Sequence, residues 1–237
     1  MQIIADMHTH TIASGHAYST VNELALAAAS RGLTAIAITD HGPALPGGPH
    51  PYHFGAIRFI PRYLHGVRIF LGAEANIVDI SGAIDIPEAY YDRLDFIMAG
   101  FHEGCGFDPQ GAERNTEALI NAMANPVVKA ISHPGNPIFP IMQKEAVQAS
   151  LSTGTALEIN NASFSQSRSG SRPNCESLAD LIAGYRSPVL VGSDAHIAQG
   201  VGVFDDALQI IEQAGIIDSQ VINADFDRLL AFLDITE

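Results

Sequence analysis

The chain reads as an α/β protein whose seven parallel strands close, or nearly close, into a barrel. Two observations predict this. Short, almost wholly apolar runs alternate with helical patterns along the chain, which is how parallel strands covered on both faces by helices read. Side chains able to hold metal ions also gather at the ends of these runs, where a barrel of this kind carries its site. At 237 residues and 47% apolar composition the chain can bury such a core. No linker, repeat or low-complexity run breaks the alternation, so residues 1–237 read as one domain.

The elements follow in order. The ADMHTH run opens the sheet, and Thr20-x-x-Glu23 is a capping box that starts an alanine-rich helix with Val21, Leu24, Ala25 and Ala28 on one face, stopped by Gly32. Residues 33–39 form a fully buried strand. A helix is expected over 54–65, with His65 before Gly66 as its C-terminal cap residue. Strands at 67–74, 95–101, 128–132, 156–160 and 188–192 alternate with helices at 111–124, 142–152 and 174–185. Helices at 203–214 and 225–234 finish the chain. Two loops stand out on the face carrying the strand ends. The Pro- and Gly-rich 42–53 segment is a candidate rim or lid, with His50 and His53 read as solvated. The 163–173 loop carries Arg168 and Arg172, the basic residues placed on that face.

The formal charge of −14, with twelve Lys and Arg in no cluster, argues against a nucleic-acid partner. It does not exclude a small anionic substrate, because bound divalent cations reverse the local sign. Cys105 and Cys175 give no disulfide framework, and Cys105 reads as a free thiol. The chain shows no signal peptide or long apolar stretch, so a cytoplasmic protein without a membrane partner is expected. A homo-oligomer stays open.

Nine residues carry the chemistry: His8, His10 and His16 in ADMHTHTIASGH, His41 in AITDH, Glu74 in FLGAEAN, His102 in FHE, His133 in SHP, and Asp194 and His196 in SDAH. In a strand His8 and His10 project to one side, and Asp6 shares that face. A single histidine at a strand end is ordinarily a satisfied core or loop residue. Seven of them with two carboxylates, all at the same end of successive strands, read as metal ligands. The sixth strand, ending in Asn160 and Asn161, is without one.

As an ordered set these motifs resemble the PHP (polymerase and histidinol phosphatase) superfamily, and the length, motif spacing and EINNASF segment resemble its stand-alone YcdX-like phosphatases. The resemblance implies a distorted seven-stranded, TIM-like β/α barrel with three divalent ions, zinc foremost and manganese or iron as alternatives. Carried over by residue, it implies one ion on His8, His10, Glu74 and Asp194, a second on Glu74, His102 and His133, and a third on His16, His41 and His196.

Nine ligands also exceed what one or two ions with open positions would use. Glu74 is the natural bridge, and paired ions would acidify a shared water into a hydroxide nucleophile for phosphate monoester hydrolysis. Glu74, Asp194 and His196 form the expected catalytic set. Arg168 and Arg172 are expected to clamp the phosphate, and Asn160, Asn161 and Ser163 to orient the ester. Asp6 and Asp40 read as carboxylates that orient histidines. The expected partner is a small phosphorylated molecule. A nuclease of the same superfamily and a metal-binding regulatory module without catalysis are the alternatives, the first opposed by the acidic surface and the lack of an aromatic-basic groove.

Overall fold

The computed structural model describes residues 1–165 and 167–236; Gln166, within the 163–173 loop, and Glu237 lie outside them. The strands are β1 (Ala5–Asp6), β2 (Ala35–Ile38), β3 (Tyr63–Leu64), β4 (Val67–Asn76), β5 (Phe96–Gly100), β6 (Val128–Ile131), β7 (Ala156–Asn160) and β8 (Val189–Gly192). All but β3 run parallel and neighbour one another in chain order, giving a nearly closed seven-stranded β/α barrel. The helices are α1 (Val21–Ser30), α2 (Tyr52–Ala56), α3 (Ala112–Met123), α4 (Gln143–Thr153), α5 (Ser171–Tyr185), α6 (Asp205–Ala214) and α7 (Phe226–Phe232). None is long and apolar enough to cross a membrane. The capping box on α1 is present, with Thr20 and Glu23 bonded reciprocally.

Inside the barrel, alanines such as Ala5, Ala37 and Ala130 meet Phe70, Phe96 and Met98, so small and large side chains fill the lumen together. Leu229, Leu230 and Leu233, on and just after α7, join this inner cluster at the amino ends of the strands. Each such leucine contributes about 1.5–3 kcal/mol on burial. With that end plugged by apolar packing, the carboxyl end is free to hold polar groups.

The seam between β1 and β8 is closed indirectly. Thr9 bridges Ala195, with His10 N–H donating to Ala195 O at 2.9 Å. Below it, the Asn223 side chain stands in for a strand: its amide donates to Ala5 O (2.8 Å) and Val191 O (2.7 Å) and accepts from Val191 N–H (3.1 Å). Both strand edges are thereby satisfied although β1 is only two residues long.

Three expectations are corrected. The helix over 54–65 ends early: α2 gives way to a 3-10 turn, and Ile60 is extended before Pro61, which disfavours helical geometry in the residue preceding it. The chain then turns back as the β3–β4 hairpin, whose loop residues His65 (φ 52°) and Gly66 (φ 81°) are both left-handed, so His65 is a hairpin corner and not a helix cap. The 163–173 loop is shorter than read, because α5 begins at Ser171 and takes Arg172 with it. Finally, strand alternation fails after Met7. Ala5 and Met7 belong to the inner cluster, yet His8 also faces inward, and Asp6 stays on the other side, accepting from Ser193 N–H (3.1 Å) and Gly202 N–H (2.8 Å).

Candidate metal centre

Glu74 stands at the middle of the barrel mouth, fully buried near the end of the long strand β4. Its two oxygens look different ways. Oε1 lies 2.8 Å from His133 Nε2 and 3.3 Å from His102 Nε2; Oε2 lies 3.0 Å from His41 Nδ1, 3.2 Å from His8 Nε2 and 3.4 Å from His10 Nε2. Asp194 Oδ1, after β8, meets His10 Nε2 at 3.2 Å and His196 Nδ1 at 3.4 Å. His133 (φ 33°) and Asp194 (φ 56°) hold left-handed backbone conformations that strain residues other than glycine, as does Arg168 (φ 53°) beside them.

The imidazoles are oriented from behind. His16 Nδ1 is 3.0 Å from Ser14 O, and His196 Nδ1 is 3.0 Å from Asp194 O. A carbonyl only accepts, so each Nδ1 carries the hydrogen and each Nε2 the lone pair. The same logic applies to His8, whose Nδ1 faces Glu158 Oε1 at 2.7 Å. It also applies to His10, whose Nδ1 faces Ser14 Oγ at 3.2 Å while that hydroxyl donates to Asp40 at 2.7 Å. The Nε2 atoms then confront each other, 3.0 Å apart for His8 and His10 and 2.9 Å for His16 and His196; His102 and His133 Nε2 stand 3.2 Å apart on the Glu74 Oε1 side. Facing lone pairs repel unless a proton or a metal ion lies between them. Two imidazole nitrogens about 2.0–2.1 Å from a tetrahedral zinc stand roughly 3.3 Å apart, close to these spacings. Glu74 Oε2, Asp194 Oδ1 and His41 Nδ1 are moreover buried without an aligned hydrogen-bond partner. The donor set fits divalent ions.

Charge points the same way. Burial, with His41 nearby, pulls His10 down to about 3, and burial with the Arg168 charge does the same to His133, so both are neutral as ligation requires. Burial opposes the charged form of His8, but Glu158, Glu74 and Asp194 outweigh it and raise its pKa well above the ordinary imidazole value. Burial likewise works to raise Glu74 and Asp194. Neighbouring His8 and His102 hold Glu74, and His8 and Arg168 hold Asp194, well below the usual carboxylate range. The pocket is built for net positive charge at its centre.

A model of the PHP domain matches residues 6–162. The chain belongs to the PHP family. A "probable phosphatase" of Syntrophotalea carbinolica is 48% identical over 228 residues, 96% of this chain and 95% of the relative. Another, of Acetivibrio thermocellus, is 47% identical over 96% of this chain and 94% of its own length. By this kinship the chain is a phosphatase. Among solved structures, the histidinol phosphate phosphatase of Lactococcus lactis, complexed with zinc, L-histidinol and phosphate, shares the fold with a TM-score of 0.62. That match has 20% identity and covers 92% of this chain and 95% of that one.

All nine residues singled out by the PHP motifs converge here. Ligand atoms within 4.8 Å of one another group His8 with His10 and Asp194, His41 with Glu74 and His102, and His10 with His41 and His196, and Glu74 Oε1, His102 Nε2 and His133 Nε2 lie mutually within 3.3 Å. His10 and His41 each fall in two of these groups, because the side chains form one contiguous cluster. Beside it opens a cavity of about 390 Å³, lined by His16, His41, His102, His196, Asp194 and Arg168 with Leu45 and Ala162.

Of the expected substrate groups, Arg168 reaches this cavity, its Nη2 2.9 Å from Asp194 Oδ2. Arg172 does not. From the first turn of α5 it pairs with Asp206 at 2.7 Å and stacks over Phe164. The Asn160 amide donates to Asp194 (3.2 Å) and Glu158 (3.1 Å), while the Asn161 side chain accepts from Ala207 N–H at the start of α6. Asp40 accepts from Thr11 and Ser14 and pairs with His53 at 3.2 Å, so His53 is a partner of the site's support and not a solvated loop residue. Burial pushes both cysteine thiols up to about 12, leaving them inert at neutral pH. Sequence reasoning misses Glu158, which lies inside the strand read as lacking a functional group. A carboxylate in the apolar run ALEIN is the signal that could have found it.

Proposed function

We propose that this PHP phosphatase hydrolyses small phosphate monoesters at a centre of three divalent ions, zinc foremost. The observation that carries the reading is the two-sided placement of Glu74, whose oxygens face separate groups of imidazoles. Kinship to phosphatases and the zinc and phosphate bound by the Lactococcus lactis protein support it. The ions would be held by His8, His10, His16, His41, Glu74, His102, His133, Asp194 and His196. When bound, such ions acidify water and neutralise phosphoryl charge at neutral pH.

The rest falls to the chain's own side chains. Arg168 offers guanidinium hydrogens from the cavity wall to a phosphate oxygen in exchange for part of its bond to Asp194. Glu74, Asp194 and His196 form the catalytic set, holding the reacting groups in one orientation. Asn160 steadies Asp194 from behind. Leu45 and Ala162 give the ester group a small apolar wall, and the cavity of about 390 Å³ suits a small molecule.

The test is phosphate release from p-nitrophenyl phosphate by metal-replete protein, beside degradation of short single-stranded DNA, with metal content measured in parallel. Expected are efficient monoester hydrolysis, little DNA degradation and close to three transition-metal equivalents. Glu74→Gln should lose metal and at least about a hundredfold in kcat, since the charge that lets two cations approach is gone. DNA degraded far faster than the monoester would replace this reading with a nuclease, and a stable single equivalent of metal would end the trinuclear assignment.

A further inference from the structure

We propose that Glu158 is the positioning residue of the metal centre, one buried carboxylate that orients ligands from three strand ends and ties the affinity of the two Glu74-facing groups together. It is 1% exposed in the middle of β7. Its Oε1 accepts from His8 Nδ1 at 2.7 Å, and its Oε2 accepts from the His133 backbone N–H at 2.8 Å and from Asn160 Nδ2 at 3.1 Å. That Asn160 nitrogen also lies 3.2 Å from Asp194 Oδ2, and Asn160 Oδ1 is locked by Ser163 N–H and Oγ at 3.0 and 3.1 Å. A single side chain thus holds His8 after β1, His133 after β6 and, through Asn160, Asp194 after β8.

The surroundings are shaped for it. A Cβ at Gly192 on the adjacent strand would stand 2.1 Å from Glu158 Oε1 and 2.7 Å from His8 Cβ, so the Glu158–His8 contact exists only because position 192 has no side chain. With Glu158 accepting at Nδ1, His8 is held with Nε2 aimed between Glu74 and Asp194, the atom left to ligate an ion. The Oε2 bond fixes the His133 backbone where it takes its left-handed turn, and so aims the ring at Glu74. His8 and His133 lie on opposite oxygens of Glu74, so one displaced carboxylate disturbs both sides. His16, His41 and His196 make no hydrogen bond or ion pair to Glu158. Partners of this kind typically change metal affinity ten- to a hundredfold when removed.

The inference rests on the metal-centre reading, and the experiment separates the two. Zn2+ is titrated against a chromophoric chelator into wild type, Glu158→Gln, Glu158→Asp and Glu158→Ala, with thermal melts of each metal-free protein alongside. Expected for Glu158→Gln is a loss of about ten- to a hundredfold in affinity for two of the bound ions while the remaining ion binds as in wild type. Glu158→Asp should recover part of the loss seen in Glu158→Ala. If Glu158→Gln does not fold, the difference between Glu158→Asp and wild type decides alone. Wild-type affinity in the folded variants, with only the metal-free melting temperature lowered, would overturn the positioning role and leave a structural one. Wild type that binds no Zn2+ would overturn the metal-centre reading itself.

Discussion

Arg168 and Arg172 look alike in the sequence, two basic residues in one serine-rich loop, and the structure separates them by partner. Arg168 faces the metal cluster through Asp194, whereas Arg172 is spent on Asp206 and Phe164 and is well exposed. Arg168→Ala should therefore raise KM for a phosphate ester about tenfold or more, the loss of one charge-assisted hydrogen bond. Arg172→Ala should stay within about twofold of wild type, and steady-state kinetics on the two variants checks both values. A second residue-scale prediction concerns Asp40. Burial favours its neutral form, but the hydrogen bond and charge of His53, with His10 and Ser14, carry its pKa from 3.8 down to about 2. A depressed native value stabilises the fold fully above about 3.8, and that contribution drains away as pH falls toward 2. The difference corresponds to about 2 kcal/mol. In urea unfolding of metal-free protein, Asp40→Asn should be weaker than wild type by about that amount at pH 7, with the gap roughly halved near pH 3. A gap constant with pH would show that the ionised carboxylate is not what His53 supports. The nine residues that converge at the barrel mouth are legible in sequence because they end or follow apolar runs. Glu158 and His53 are not, since their worth lies in neighbours 150 and 13 residues away.

At the scale of elements, helix and strand existence is legible nearly throughout, because buried parallel strands and amphipathic helices carry opposite periodicities. The failures share a cause in local backbone chemistry. Proline at 61 cuts the expected 54–65 helix, and the pair of left-handed residues at 65 and 66 makes a tight hairpin in its place. Apolar residues at 57, 60 and 64 still fit a helical face, so periodicity alone reads through the break. At Gly66 an added Cβ would touch nothing within 4 Å, which isolates the conformational cost from any steric one. Gly66→Ala should lower stability by about 1 kcal/mol through its positive φ, with kcat unchanged, as chemical denaturation and a parallel assay would show. A loss much above that would mean that the hairpin also carries packing at α1, which His65 touches through Asn22 at 2.9 Å.

For the whole molecule, the barrel is readable from strand count and alternation, but its closure is not, because a seam held by Asn223 leaves no pattern in the chain. The same architecture predicts a fold that divalent ions stabilise. Ligands drawn from both ends of the sequence meet in one cluster, and the unfolded chain presents no such cluster. Divalent metal at about a hundred times its dissociation constant should add about 2.7 kcal/mol to stability. For a chain of this size that is a rise of about 5–10 °C in Tm, measurable by calorimetry with and without chelator. The seam also orders events in time. His8 and Asp194 belong to one centre, yet the side chain that joins their strands is at position 223. A ribosome adding about 5–20 residues per second reaches it roughly 10–45 s after His8 has been made. The His8-x-His10 pair must therefore wait until the later strands have been made before the side chains that complete the cluster arrive.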